Sequence, residues 1–105
     1  MGNRAIIKGV GTNIGVYVHW NGGYDSVLAF TQYCKLKGYR SPDSNPAYGT
    51  ARLAQVIGNY FGGSCSVGIE NMSGTTVMTP ELVSELYLDN GVYEIEKWKI
   101  VKHWN

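Results

Sequence analysis

A glycine-rich segment with aromatic and imidazole side chains is the part of the sequence that most resembles a ligand site. It comprises His19, Trp20, Asn21, Gly22, Gly23 and Tyr24. The segment lies between a predicted strand and a predicted helix, where backbone N–H groups and a helix N-terminus can face an anion. Its spacing matches neither a P-loop nor a dinucleotide fingerprint, and Asp25 would oppose an anion at the same helix end. The same residues also fit a tight turn with Trp20 buried in the core, so both interpretations stay open.

Two arginines and a tyrosine form a second candidate site. Arg40 follows the first predicted helix, and Arg52 lies one turn after Tyr48 on the second. An arginine fork can hold a phosphate while an adjacent aromatic ring stacks on a base. Alternatively, Arg52 is a solvated helix residue and Tyr48 flanks the core. We include all three residues in the predicted ligand-binding set.

The sequence contains no pattern that predicts catalysis. The two histidines, His19 and His103, could form an acid–base pair, but no carboxylate is placed to orient either ring. The serines lack a nucleophile elbow, and no acidic cluster resembles a metal site. Cys34 and Cys65 lack zinc or redox spacing, and we expect both to be reduced and buried. We therefore predict that the protein is not an enzyme and needs no cofactor or metal.

Length and charge restrict the class of protein. A chain of 105 residues fits one domain, and we assign residues 1–105 to it. Nine Lys and Arg against eight Asp and Glu give a net charge of +1, which argues against binding duplex nucleic acid by phosphate neutralisation. No signal peptide or membrane span is predicted, so we expect a cytoplasmic protein. The 14 glycines, eight tyrosines and three tryptophans suit a recognition surface.

The apolar periodicity predicts an α+β fold with elements in the order ββααβ(α)β. We expect a small antiparallel sheet with two helices packed on one face. Asp25 or Ser26 would cap the first helix, and Gly38 would end it. A one-residue bulge near residues 96–97 would reconcile a change of apolar phase in the last strand. The predicted strands are 3–8, 14–20, 65–69 and 92–104, and the spacing of the first two fits a hairpin. The predicted helices are 25–37 and 47–60, and a short helix is possible at 80–86. In the first helix Val27, Phe30 and Cys34 form an apolar stripe, with Leu28 and Tyr33 beside it.

Several segments spread over most of the chain are similar to a known group of proteins. They read GNRAIIK, GVYVHWNGG, the YC and GYR of YCKLKGYR, ARLAQVIGNYFGG and DNGVYEIEKW. Together they resemble small proteins of Firmicute phages and prophages. The resemblance implies a counter-defence protein acting in the infected bacterial host, and it supplies no functional residues to carry over.

Three functions remain as hypotheses. The first is a sponge, an oligomer that binds and withholds a cyclic nucleotide or ADP-ribose-type immune signal without cleaving it. The second is an anti-CRISPR or similar inhibitor that binds a bacterial defence protein through aromatic side chains. The third is a small nuclease or phosphodiesterase that relies on His19. We expect a homo-oligomer, most simply built from dimers, because an open sheet in a small body leaves strand edges and aromatic rings uncovered.

Overall fold

Alternating apolar residues form the strands, and apolar residues three and four positions apart form the helices. The computed structural model describes residues 3–60, 67–71 and 89–104. The elements are β1 Ala5–Gly9, β2 Ile14–Val18, α1 Tyr24–Leu36, α2 Pro46–Tyr60, β3 Val67–Asn71, β4 Val92–Glu96 and β5 Lys99–Trp104. The predicted α+β class is confirmed. The possible helix at 80–86 and Cys65 lie outside the described residues.

The five strands form one sheet in the order β3-β2-β1-β4-β5. All neighbouring pairs are antiparallel except β1 and β4, which run parallel, so the sheet is mixed rather than purely antiparallel. Local alternation indicates that a strand exists, but its direction depends on which end of the sheet the chain returns to. That choice depends on the segment between β3 and β4, which local periodicity does not determine.

The predicted final strand, 92–104, is instead a hairpin of β4 and β5. Lys97 and Trp98 form its two-residue turn, with φ angles of 53° and 61°. The bulge predicted near 96–97 is therefore wrong, and the register shift lies between Glu94 and Ile95. This turn lacks the Asn-Gly pair that favours two-residue hairpin turns. Tertiary hydrogen bonds hold it instead. The backbone N–H of Trp98 donates to Ser41 Oγ at 3.2 Å, and its indole Nε1 donates to the Tyr39 carbonyl at 2.7 Å.

Both helices cover the same face of the sheet. Val27, Phe30 and Cys34 of α1 and Leu53 and Ile57 of α2 pack in one core. The strands contribute Ala5, Ile7, Val16, Val18, Tyr93 and Ile95 to it. The expected burial of Cys34 is confirmed, and burial raises the pKa of its thiol to about 12. Neither described helix is long and apolar enough to cross a membrane.

The ends of α1 show which local signals determine a helix boundary. Gly38 adopts a φ of 76° directly after the C-cap Lys37, as predicted for a left-handed stop. The N-cap is Gly23 rather than Asp25 or Ser26, and no side chain caps this end. The helix begins earlier than predicted because the extended Gly23 already accepts a hydrogen bond from the N–H of Val27 at 3.0 Å.

Candidate functional site

The two predicted groups of site residues lie at opposite ends of the sheet. Val18 pairs with Ala5, so β2 delivers the segment 19–24 to the end where β1 begins. Arg40 follows the far end of α1, and the neighbouring Tyr39 contacts the turn between β4 and β5 at the other end. A 13-residue helix is about 20 Å long and separates the groups. The structure therefore does not bring both groups into one pocket of a single chain.

The glycine-rich turn is accounted for by contacts within the protein. Asn21 has a φ of 58°, and a Cβ on Gly22 would lie 2.5 Å from the Asn3 carbonyl oxygen and 2.8 Å from Ala5 Cβ. The N–H of Gly22 donates to the Asn3 carbonyl, and the Gly22 carbonyl accepts the Tyr93 hydroxyl at 2.8 Å. Gly22 is thus needed for close packing, and its polar groups are already in use.

Trp20 is not the buried anchor that one interpretation of this turn required. Its side chain is 43% exposed, and its ring packs edge-on against His19 with the centroids 4.8 Å apart. β2 ends at Val18, which packs in the core, so Trp20 lies two residues beyond the end of the strand. Tyr24 is also exposed. This end of the molecule therefore presents exposed aromatic rings.

Both histidines contact aromatic rings. The Nδ1 atom of His19 lies 3.0 Å from the Tyr17 hydroxyl, and the His103 ring stacks on Tyr93 at 4.0 Å. The nearby carboxylate, Asp89, accepts hydrogen bonds from Arg4. Within the described part of the chain, no group of three His, Cys, Asp or Glu side chains could hold a metal ion.

Arg40, Tyr48 and Arg52 lie close together in the structure. Tyr39, which was not among the predicted ligand-binding residues, lies beside them. The Arg52 guanidinium lies 5.0 Å from the centroid of the Tyr48 ring and 5.3 Å from that of Tyr39. Arg40 approaches the same Tyr48 ring at 5.9 Å. We call Tyr39, Arg40, Tyr48 and Arg52 the arginine–tyrosine cluster. Guanidinium groups over aromatic faces are stabilised by the ring quadrupole, so the Tyr48 ring favours both charges.

The positive charge of this cluster is not neutralised by a carboxylate in residues 3–60, 67–71 or 89–104. The two ion pairs formed there are Arg4 with Asp89 at 2.9 Å and Lys8 with Glu94 at 2.7 Å. Hydrogen bonding to Tyr48 raises the pKa of Arg52 above its ordinary value, so this group stays charged. Two arginines on one tyrosine ring, with no carboxylate paired to them among the described residues, form a surface suited to an anion.

Close packing of backbone sets the position of the cluster. Gly49, next to Tyr48, lies against the segment between the helices, and a Cβ there would come within 2.4 Å of Pro42 N. Because no side chain separates them, the first turn of α2 sits directly on residues 41–42. This contact brings Tyr48 beside Arg40.

A groove between α1 and α2 opens next to the cluster. Its volume is about 420 Å³, and its lining residues are Ala29, Phe30, Tyr33, Tyr39, Gln55, Val56, Asn59 and Tyr60. Tyr39 belongs to both the groove and the cluster, and Arg52 Nη1 donates to Gln55 Oε1 at 2.7 Å. The two features are therefore continuous and present aromatic rings beside positive charge.

Sequence reasoning missed this groove. It placed Tyr33 beside the apolar stripe of α1, whereas the side chain is 49% exposed and lines the groove. Tyr60 is 67% exposed at the end of α2. The available signal was a set of tyrosines outside the buried stripes of two consecutive helices, but locating the groove required the packing of those helices.

No protein-family model matches this chain, and neither a curated protein nor a solved structure is similar to it. The resemblance to phage proteins stays a prediction.

Proposed function

We propose that this protein acts by binding a small anionic ligand of the nucleotide class in the groove between α1 and α2. The observation that carries the proposal is the pair Arg40 and Arg52 on one tyrosine ring, beside a groove lined by aromatic side chains. A nucleotide matches this arrangement, because its base is a flat ring that can stack in the groove and its phosphate is an anion that the arginines can bind.

Each half of the site has a role in this proposal. The exposed ring of Tyr33 offers a stacking surface for a base, and such stacking contributes about 1–3 kcal/mol per base. Arg40 and Arg52 offer forked donors to a phosphate, and a fork can bond two phosphate oxygens at once. No proton transfer or nucleophile is involved, so the ligand is held without being cleaved.

The biological role follows from the resemblance to phage proteins. Bacterial immune systems signal with cyclic nucleotides and ADP-ribose derivatives, which carry both rings and phosphates. A phage protein that withholds such a signal would act as a counter-defence sponge in the cytoplasm of the infected host.

A second copy of the chain would complete a site for a ligand with two phosphates, because a twofold axis presents the same residues twice. Among the described strands, β3 lies at one edge of the sheet, and Ile69 at its centre is 59% exposed. Light scattering at high micromolar concentration should give a dimer or a multiple of it. Ile69→Lys should lower that mass, whereas Val101→Lys on the opposite edge strand should not. A wild-type monomer would contradict this assembly.

Calorimetry with a panel of cyclic dinucleotides and cyclic ADP-ribose isomers tests the proposal. Arg40→Ala or Arg52→Ala should weaken binding by roughly tenfold to a hundredfold, as expected for loss of a charged donor set. Lysine should rescue only partly because it lacks the planar fork. Arg4→Ala is the matched control, since Arg4 is paired with Asp89 at the other end of the sheet. Wild-type protein that binds no member of the panel overturns the sponge.

A protein inhibitor of a defence complex is the second candidate, and the exposed Trp20 and Tyr24 favour it. Aromatic side chains of this kind serve as hot spots in protein interfaces. Native mass spectrometry separates the two candidates. Retained nucleotide supports the sponge, whereas co-purification with one defence protein and no nucleotide supports the inhibitor.

A further inference from the structure

We propose that Gln55 makes the groove selective for a 6-oxopurine, such as guanine or hypoxanthine, over the 6-aminopurine adenine. This inference rests on the proposed binding of a nucleotide and specifies the base. It depends on the hydrogen bond that joins the arginine–tyrosine cluster to the groove.

The bond to Arg52 fixes the orientation of the Gln55 amide. A guanidinium has only donors, so the atom that faces Arg52 Nη1 at 2.7 Å must be the amide oxygen. Arg52 is itself held by the rings of Tyr39 and Tyr48. The amide NH2 is therefore the group that Gln55 leaves available to a ligand.

A fixed NH2 donor distinguishes purines by their position 6. Guanine and hypoxanthine carry an oxygen there, and with N7 they present two acceptors on one edge. Adenine presents an amino donor at the same position, which would face the Gln55 NH2 donor to donor. If the Gln55 amide turned so that its oxygen faced adenine, it would lose the hydrogen bond from Arg52. Its NH2 group would then face the Arg52 guanidinium, donor to donor. The aromatic lining of the groove stacks on either purine and does not discriminate between them.

The test is calorimetry with inosine, guanosine and adenosine 5′-monophosphates on the 105-residue protein. Wild type should bind the inosine and guanosine nucleotides similarly and the adenosine nucleotide about tenfold more weakly, as expected for one mismatched hydrogen-bonding position. Gln55→Glu replaces the donor with an acceptor and should reverse the preference. The ratio of inosine to adenosine nucleotide affinity is the readout, because repulsion between the new carboxylate and phosphate weakens both nucleotides and cancels.

Gln32→Glu is the matched control, since Gln32 is exposed on α1 and is not among the residues that line the groove. It should keep the wild-type ratio, and thermal melts should show that both variants are folded. Equal binding of the inosine and adenosine nucleotides to wild type, or an unchanged ratio in Gln55→Glu, overturns this inference and leaves nucleotide binding intact. Failure of all three nucleotides and of the cyclic signals overturns the proposed function with it.

Discussion

Alanine substitution at two glycines of α2 should have opposite effects on stability. A Cβ added to Gly58 would have no described atom within 4 Å, so alanine there adds helix propensity without a clash. We expect Gly58→Ala to raise the free energy of unfolding by about 0.5–1 kcal/mol. Gly49 lies in the same helix, but its Cβ would come within 2.4 Å of Pro42 N and 2.6 Å of the Ser41 carbonyl carbon.

The magnitude at Gly49 follows from which atoms are contacted. Backbone atoms cannot rotate away as a side chain would, so the cost lies at the upper end of the usual range of about 1–3 kcal/mol for overpacking. Subtracting a propensity gain of about 1 kcal/mol leaves a net loss of about 2 kcal/mol. The two variants should therefore differ by about 3 kcal/mol.

Urea denaturation of the two variants and wild type measures this difference directly. Gly49→Ala should also weaken nucleotide binding, because separating α2 from residues 41–42 moves Tyr48 away from Arg40, whereas Gly58→Ala should not. A Gly49→Ala protein as stable as Gly58→Ala would refute the close approach of the two backbones. It would also remove the reason given for the position of the arginine–tyrosine cluster.

Three further changes test other parts of the structure. Trp20→Ala should change the free energy of unfolding by less than about 1 kcal/mol because the ring is half exposed, whereas Trp98→Ala, at a side chain that is 5% exposed, should cost about 3–5 kcal/mol in denaturant titrations. Hydrogen bonding to Arg4 lowers the pKa of Asp89 to about 2, so its carboxylate stabilises the fold above about pH 4, and that contribution should be lost as the pH falls towards 2. Acid titrations of Asp89→Asn should lack this part of the transition, and an unchanged profile would contradict the pairing. Lys97→Gly should raise the free energy of unfolding by about 0.5–1 kcal/mol, because relief of about 1–2 kcal/mol of left-handed backbone strain exceeds the entropy cost of glycine. A lower melting temperature for this variant would argue against the left-handed turn.

The features that sequence predicted correctly depend on residues close together in the chain. The β1–β2 hairpin follows from two alternating runs separated by a short glycine-containing turn. The buried stripe of Val27, Phe30 and Cys34 follows from helical spacing, and Gly38 supplies the left-handed residue that ends α1. Arg40, Tyr48 and Arg52 could be grouped for the same reason, since one turn of helix and one short connection place them near each other.

The features that sequence missed depend on contacts between distant segments. Trp98 adopts a left-handed conformation unusual for a bulky residue, and its bonds to Tyr39 and Ser41 come from about sixty positions away. No local signal predicts such a turn. The separation of the two candidate sites could have been predicted, because the predicted length of α1 already implied about 20 Å between its ends.

The arginine–tyrosine cluster is anchored by the core rather than carried on a free loop. Tyr39 and Arg40 lie between two helices, yet Trp98 binds the Tyr39 carbonyl and the Ser41 hydroxyl, and the Lys97 N–H donates to Asp43 Oδ1 at 3.0 Å. These three bonds tie the connection to the β4–β5 turn at both sides of Arg40. A ligand therefore meets a backbone that is already ordered, so less conformational entropy is lost on binding. The left-handed turn at Lys97 and Trp98 therefore holds in place the segment that carries the positive charge of Arg40.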